Sequence, residues 1–362
     1  MPTDEPRRRL YLHIGTEKTG TSTLQETCTS NRALLAENGI WYPRSAGKRG
    51  HAGLTIYALN RAKKMGLRAA VGLDTEASVD EYKANLMPQL RAEVARSNCP
   101  KILLSNEHMS SRLTKVRDVQ KLVDGLRTVC PDIRVIVYLR PQYELVLSAY
   151  STAVKGGRRW DLNLDRDEDS HFYNFDLMLS LWEQVVGIEN ITVRLFRHDE
   201  FVGKSLISDF FHTLGMAVPE GLEIPGALNK AFDADTLQFA RLVNELIPRS
   251  ERTQSELSRS GMLQALEQLS TGRKFTVSGS ALSELDETFR DSNERVARRY
   301  FPERNGVLFP PFNAADTPDT PPLTPEKAVE LAVGLWRAGR EKKARIGARR
   351  RRKHANAELE VG

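Results

Sequence analysis

Along the chain, short and almost continuously apolar runs alternate with longer stretches in which apolar residues recur every three or four positions. The first pattern suits a strand covered on both faces, the second a helix with one buried stripe. Residues 10–15 read as a strand, followed at once by Gly, Thr and Lys and then by a helical pattern through Leu24 and Leu34 to Leu35, which Asn38-Gly39 ends. Residues 40–42 make a second strand closed by Pro43, and 44–53, rich in Gly and basic residues, an exposed loop placed to border a site. A helix over 79–96, the strand Lys101–Ser105 and a helix over 115–128 lead to Ile133–Leu139, the strongest strand of the sequence, which Arg140 and Pro141 end. Helical periodicity resumes through Leu145, Leu147, Tyr150 and Val154, and Gly156-Gly157 stops it. A helix at Phe175–Val186, a strand at 191–196 and helices at 205–214 and Ala234–Leu246 follow.

This order predicts an α/β fold, an open, mostly parallel sheet flanked by helices, with right-handed crossovers. Such sheets bind ligands at the carboxyl ends of their strands, so the loops after Gly15, Ser105 and Leu139 are expected to share one cleft. Six prolines between Pro310 and Pro325 mark a linker. The expected organisation is a flexible amino terminus over 1–9, one main domain over 10–308, the linker over 309–325, and a helix with a basic tail over 326–362.

Charge changes the picture only locally. The net charge is +6, but the stretch from Arg337 onward holds ten Lys or Arg against three Glu, so the rest of the chain is close to neutral. The run Arg349 to Lys353 is read as a solvated tail with weak contact to anionic surfaces at most. No apolar stretch is long enough for a membrane span, and the amino terminus lacks the pattern of a secretory signal, so a cytoplasmic location is expected. Cys28, Cys99 and Cys130 are odd in number and far apart, which argues against a disulfide framework or a zinc site.

The candidate chemistry starts at His13-Ile14-Gly15-Thr16-Glu17-Lys18-Thr19-Gly20-Thr21-Ser22-Thr23. A Gly-containing, hydroxyl-rich loop between a strand and a helix start offers backbone N–H groups and a helix dipole to a phosphate. Lys18 adds a charge, and Thr19, Thr21, Ser22 and Thr23 add hydroxyl donors. A nucleotide triphosphatase loop would place lysine directly after the second glycine, whereas here Thr21 follows Gly20 and Lys18 lies inside the loop. The segment Lys18-Thr19-Gly20-Thr21-Ser22-Thr23 resembles the 5′-phosphosulfate loop of sulfotransferases that use 3′-phosphoadenosine 5′-phosphosulfate (PAPS). That family also has a strand ending in Arg and a helix bearing Ser eight residues later; Arg140 and Ser148 stand at that spacing. The match is to the prokaryotic and carbohydrate-type branch, and it implies a P-loop-like, nucleotide-binding fold.

The resemblance implies an enzyme that transfers a sulfuryl group from PAPS, without a metal, to a hydroxyl or amine of an acceptor, with carbohydrate or glycolipid preferred. Lys18 would stabilise the leaving 5′-phosphate, and Arg140 with Ser148 would hold the 3′-phosphate. Glu107 is the first candidate for the base, with His108 beside it and His51 in the Gly-rich loop as further candidates; His13, inside the first strand, reads as a packed core residue. Glu17 departs from the proline frequent in the family and is expected to point away from the donor or to pair with a basic neighbour. The basic glycine-rich covering segment of cytosolic members has no clear counterpart; Gly272 to Ser280 is the nearest suggestion. Two rival readings are a polyanion-binding protein acting through its basic tail and a nucleotide kinase with an atypical loop. Deleting residues after Arg337 separates the first from an enzyme, and magnesium dependence separates the second.

Overall fold

The structure is a computed structural model that describes residues 8–59, 66–73, 75–226, 231–247, 259–314, 317 and 319–340. Five strands, β1 (Arg9–Gly15), β2 (Ile40–Trp41), β3 (Lys101–Ser105), β4 (Ile133–Leu139) and β5 (Ile191–Leu195), form one sheet in the order β2-β3-β1-β4-β5. Every pairing is parallel, so the sheet is the expected α/β kind with helices supplying the crossovers. Because β1 lies between β3 and β4, the loops after these three strands leave the sheet side by side.

Strand side chains alternate between the two faces, and both faces are covered. Tyr11, Leu103, Ile136 and Tyr138 pack with Leu24, Leu35, Phe210 and Phe211 of the helices Thr21–Ser30, Arg32–Glu37 and Leu206–Thr213. Leu12, Leu104, Val135 and Val137 are also fully buried, which explains the continuous apolar runs.

The expected single helix through Leu35 is two, because Asn31 interrupts it. Its Nδ2 donates to the Thr27 carbonyl (2.7 Å) and to the Glu223 carbonyl (2.8 Å), while its Oδ1 accepts from the Glu223 N–H (2.9 Å). This side chain ties a distant loop to the helix junction, a role that periodicity does not report. The segment 44–53, expected as loop throughout, turns helical from Ala52 to Ala58. A further helix, Arg290–Tyr300, escaped the reading because few of its positions are apolar. Ion pairs anchor it: Arg295 and Arg299 to Asp176 (2.6 and 2.7 Å) and Arg299 to Glu183 (3.2 Å).

The chain divides into two compact units. The first holds the sheet and comprises residues 1–142, 166–228 and 286–311; the second comprises 143–165, 229–285 and 312–362. In the second, Tyr150, Val154, Phe232, Leu237, Leu266 and Leu331 form a separate core. Lys155 pairs there with Glu267 (2.6 Å), and Asn244 Nδ2 donates to the Val154 carbonyl (2.8 Å). The helix expected from 326 is described over 325–340; the basic run Arg349 to Lys353 and most of the expected flexible amino terminus lie outside the described residues. No helix among the described residues is long and apolar enough to cross a membrane.

Candidate functional site

At the carboxyl edge of the sheet, the loop after β1 turns back on itself. The Thr16 N–H and hydroxyl both donate to the Tyr138 carbonyl of β4 (3.0 Å each), which pins the loop beside the neighbouring strand. The Thr19 and Thr21 hydroxyls donate to the Thr16 carbonyl (2.6 and 3.2 Å), so they shape the turn. Ser22 and Thr23 remain half-buried, and their hydroxyls make no hydrogen bond among the described residues. Gly15, Lys18 and Gly20 all have positive φ (108°, 66° and 75°). For Lys18 this is a costly conformation that the surrounding loop holds in place, as happens at ligand-binding turns.

Gly15 also permits a close approach: a Cβ there would stand 2.9 Å from the Glu107 Cα. Gly15→Ala should therefore push apart the loops after β1 and β3 and cost about 1–3 kcal/mol. A drop in the urea midpoint by that amount checks it, and an unchanged midpoint would show that the contact is slack.

Arg140, directly after β4, donates from Nη1 to the Lys18 carbonyl (3.0 Å) and lays its guanidinium over the Phe196 ring, 5.5 Å from the centroid. The two segments singled out in the sequence are thereby joined by this hydrogen bond as well as by those from Thr16 to the Tyr138 carbonyl. The helix Gln142–Lys155 follows, and Ser148, partly buried, sits on the portion that belongs to the second unit.

Glu107 comes from the loop after β3. Its Oε2 accepts from Gln25 Nε2 (2.8 Å), and the same amide reaches toward Ser105 Oγ (3.4 Å). Gln25 was not foreseen; the available signal was its spacing of four from Thr21, which puts both on the buried face of the first helix. His51 is a correction. Its Nδ1 accepts from the Ser105 N–H (2.9 Å), so its proton lies on Nε2, which donates to the Pro43 carbonyl (2.9 Å). With both nitrogens engaged and no exposure, the ring holds backbone together and presents no base to an acceptor. His13 packs in the core as expected, with Nδ1 2.9 Å from Ser105 Oγ.

Burial lowers the pKa of His51 to about 4 and that of His13 to about 3, from an ordinary 6.5. As pH falls from 6.5, the unfolded chain binds protons that the folded rings refuse, so stability should fall, by up to about 1.4 kcal/mol per pH unit for each ring. Urea midpoints at pH 7 and pH 5 test this; the decline should be shallower in His51→Gln, and equal midpoints would contradict it.

Glu17 does pair with a basic neighbour. Its Oε1 lies 3.2 Å from His108 Nδ1 and accepts from the Ser111 hydroxyl (2.6 Å). Burial alone would raise its pKa, but the hydrogen bonds from His108 and Ser111, with the charge of Arg112, hold the carboxyl below its usual range. The carboxylate is thus engaged with the helix His108–Arg112, and His108 is committed through Nδ1 to Glu17.

No family model matches the chain. An uncharacterized protein of Archaeoglobus fulgidus is 25% identical over 172 residues, 48% of this chain and 47% of that protein, so the chain matches about half the length of this relative. The crystal structure of a sulfotransferase from Alicyclobacillus acidocaldarius superposes over 66% of this chain and 96% of its own, with a TM-score of 0.37 and 16% identity. A likeness at that level assigns neither family nor activity.

Proposed function

We propose that the protein is a sulfotransferase that moves a sulfuryl group from PAPS to a hydroxyl of a carbohydrate or glycoconjugate. The observation that carries the reading is the hydrogen bond from Arg140 to the Lys18 carbonyl, which sets the arginine expected to hold the 3′-phosphate against the loop expected to hold the 5′-phosphate. The loop fits such a donor: Gly15 and Gly20 supply the positive-φ turns that shape it, and the helix Thr21–Ser30 begins at its end.

In the transfer, the acceptor oxygen forms a bond to sulfur as the bond from sulfur to the 5′-phosphate oxygen breaks, and the bonding pair leaves with the phosphate. Lys18 and the loop N–H groups stabilise the charge on that oxygen. Arg140 forks onto the 3′-phosphate. Glu107, oriented by Gln25, takes the acceptor proton. None of these steps calls on a metal ion. The cytoplasm, where PAPS would be drawn from a soluble pool, is the proposed location, and the basic tail is assigned at most weak contact with anionic surfaces.

Transfer of radiolabelled sulfate from PAPS to a panel of saccharides, run in excess chelator, tests the reading. Glu107→Gln should lower kcat by about 10²–10⁴-fold. Transfer that stops in chelator, or full activity in Glu107→Gln, would overturn the proposed chemistry.

A further inference from the structure

An open groove of about 910 Å³ lies in the first unit beside the edge strand β2 and outside the residues assigned to the donor. Among the described residues four cations line it, Arg32, Arg44, Lys48 and Arg96, against one carboxylate, Glu93. That carboxylate is already engaged, because its two oxygens accept from the N–H groups of Arg44 and Ser45 (2.8 Å each). Arg32 is fixed in place by the Tyr42, Thr29 and Lys48 carbonyls and stacks on Tyr42. Arg44 and Lys48 are exposed, and their side chains make no hydrogen bond or ion pair among the described residues. Burial first, and then the charge of Arg44, depress the pKa of Arg32, with Glu93 acting against them, so Arg32 and Arg44 repel each other in the groove. A bound anion would relieve this repulsion.

The groove also connects to the candidate site. Tyr42 donates to the Arg49 carbonyl (2.7 Å), and Arg49 Nη2 donates to the Ser22 carbonyl (3.2 Å) of the helix behind the phosphate loop. One residue further, Gly50 packs so closely on Gln25 that a Cβ would stand 2.4 Å from its Oε1. Gln25 in turn holds Glu107. Lys48, which lines the groove, is thus two residues, at most about 7–8 Å of chain, from the residue that abuts the proposed base machinery.

We propose that this groove binds an acidic saccharide chain, whose carboxylates or sulfates meet Arg32, Arg44 and Lys48 and whose free hydroxyl is presented to Glu107. The binding half stands on the groove alone; the delivery half deepens the sulfotransferase reading and rests on it. Guanidinium forks match carboxylate and sulfate oxygens, and the face of Trp41, which also lines the groove, suits the C–H side of a sugar ring. Among the described residues Trp41 is the single aromatic lining the groove, whereas a nucleic-acid groove interleaves several as stacking platforms.

The test titrates the full chain by calorimetry with a linear uronic-acid hexasaccharide, its neutral counterpart and a single-stranded oligonucleotide of equal charge. Each titration is repeated with Arg44→Glu/Lys48→Glu and with Arg350→Ser/Arg351→Ser/Arg352→Ser. The uronate should bind best, lose about 10–100-fold in affinity in the groove variant, and keep its affinity in the tail variant. Equal binding of the neutral chain, preference for the oligonucleotide, or loss confined to the tail variant would overturn the proposal. Binding of 3′-phosphoadenosine 5′-phosphate, measured alongside, separates the two readings. Saccharide binding without nucleotide binding removes the delivery half and leaves the groove, whereas nucleotide binding without saccharide binding removes the groove alone. The groove variant should retain the wild-type circular dichroism melt, since its substituted side chains are exposed.

Discussion

Arg140→Ala should weaken binding of 3′-phosphoadenosine 5′-phosphate about 100-fold, equivalent to roughly 2.7 kcal/mol, because a guanidinium-to-phosphate fork is among the strongest hydrogen-bonded pairs available. The loss has two sources. One is the missing charge at the 3′-phosphate; the other is the hydrogen bond to the Lys18 carbonyl, which keeps Lys18 in its left-handed conformation. Lys18→Ala should therefore be non-additive with Arg140→Ala: it leaves the accepting carbonyl in place, whereas loss of Arg140 frees the turn that aims the Lys18 side chain, so the lysine has less to contribute once Arg140 is gone. Titration calorimetry on the two single variants and the double variant reads the coupling. Strict additivity would mean that the observed hydrogen bond plays no part in holding the nucleotide.

Asp209→Ala should be the most destabilising single change, at about 3–5 kcal/mol. Asp209 is fully buried; one oxygen accepts from the Tyr138 hydroxyl (2.7 Å), the other from the Val202 N–H (3.0 Å), and Arg194 pairs with both. Removing the carboxylate leaves the Arg194 charge and the Tyr138 hydroxyl without their partner behind β4 and β5. Burial by itself would raise the Asp209 pKa, but hydrogen bonds from Arg194, Val202 N–H and Tyr138 hold the carboxyl below its ordinary value. A depressed folded pKa adds stability above the unfolded value of about 3.9, and that stability is lost as pH falls through the folded one. Urea unfolding at pH 7 and pH 3 should show the gap between wild type and Asp209→Ala narrowing at the acid end. A constant gap would contradict the charge-based account.

The sheet was legible because its strands are covered on both faces and so are written as unbroken apolar runs; Ile133–Leu139 and Lys101–Ser105 have the expected bounds. The turn after β1 was legible for a different reason: glycine at a positive-φ position and hydroxyls at its flanks are local requirements that local sequence must meet. What failed depended on distant partners. Nothing near Asn31 announces that its amide will bind the Glu223 backbone, and nothing near His51 announces that the Ser105 N–H will occupy its ring. A histidine in a glycine-rich loop looks catalytic until both nitrogens are found on backbone groups. Gln25 was hidden by the same logic, since its value lies in reaching Glu107, 82 residues away.

The central claim is that Lys18, with its loop, and Arg140 together hold a 3′,5′-bisphosphorylated adenosine. Calorimetric titration of the wild-type chain with 3′-phosphoadenosine 5′-phosphate, with ATP as the control, tests it most directly. The account predicts micromolar binding of the bisphosphate, lost in Arg140→Ala, and no comparable binding of ATP with or without magnesium. Absence of bisphosphate binding, or a preference for ATP with magnesium, would contradict it.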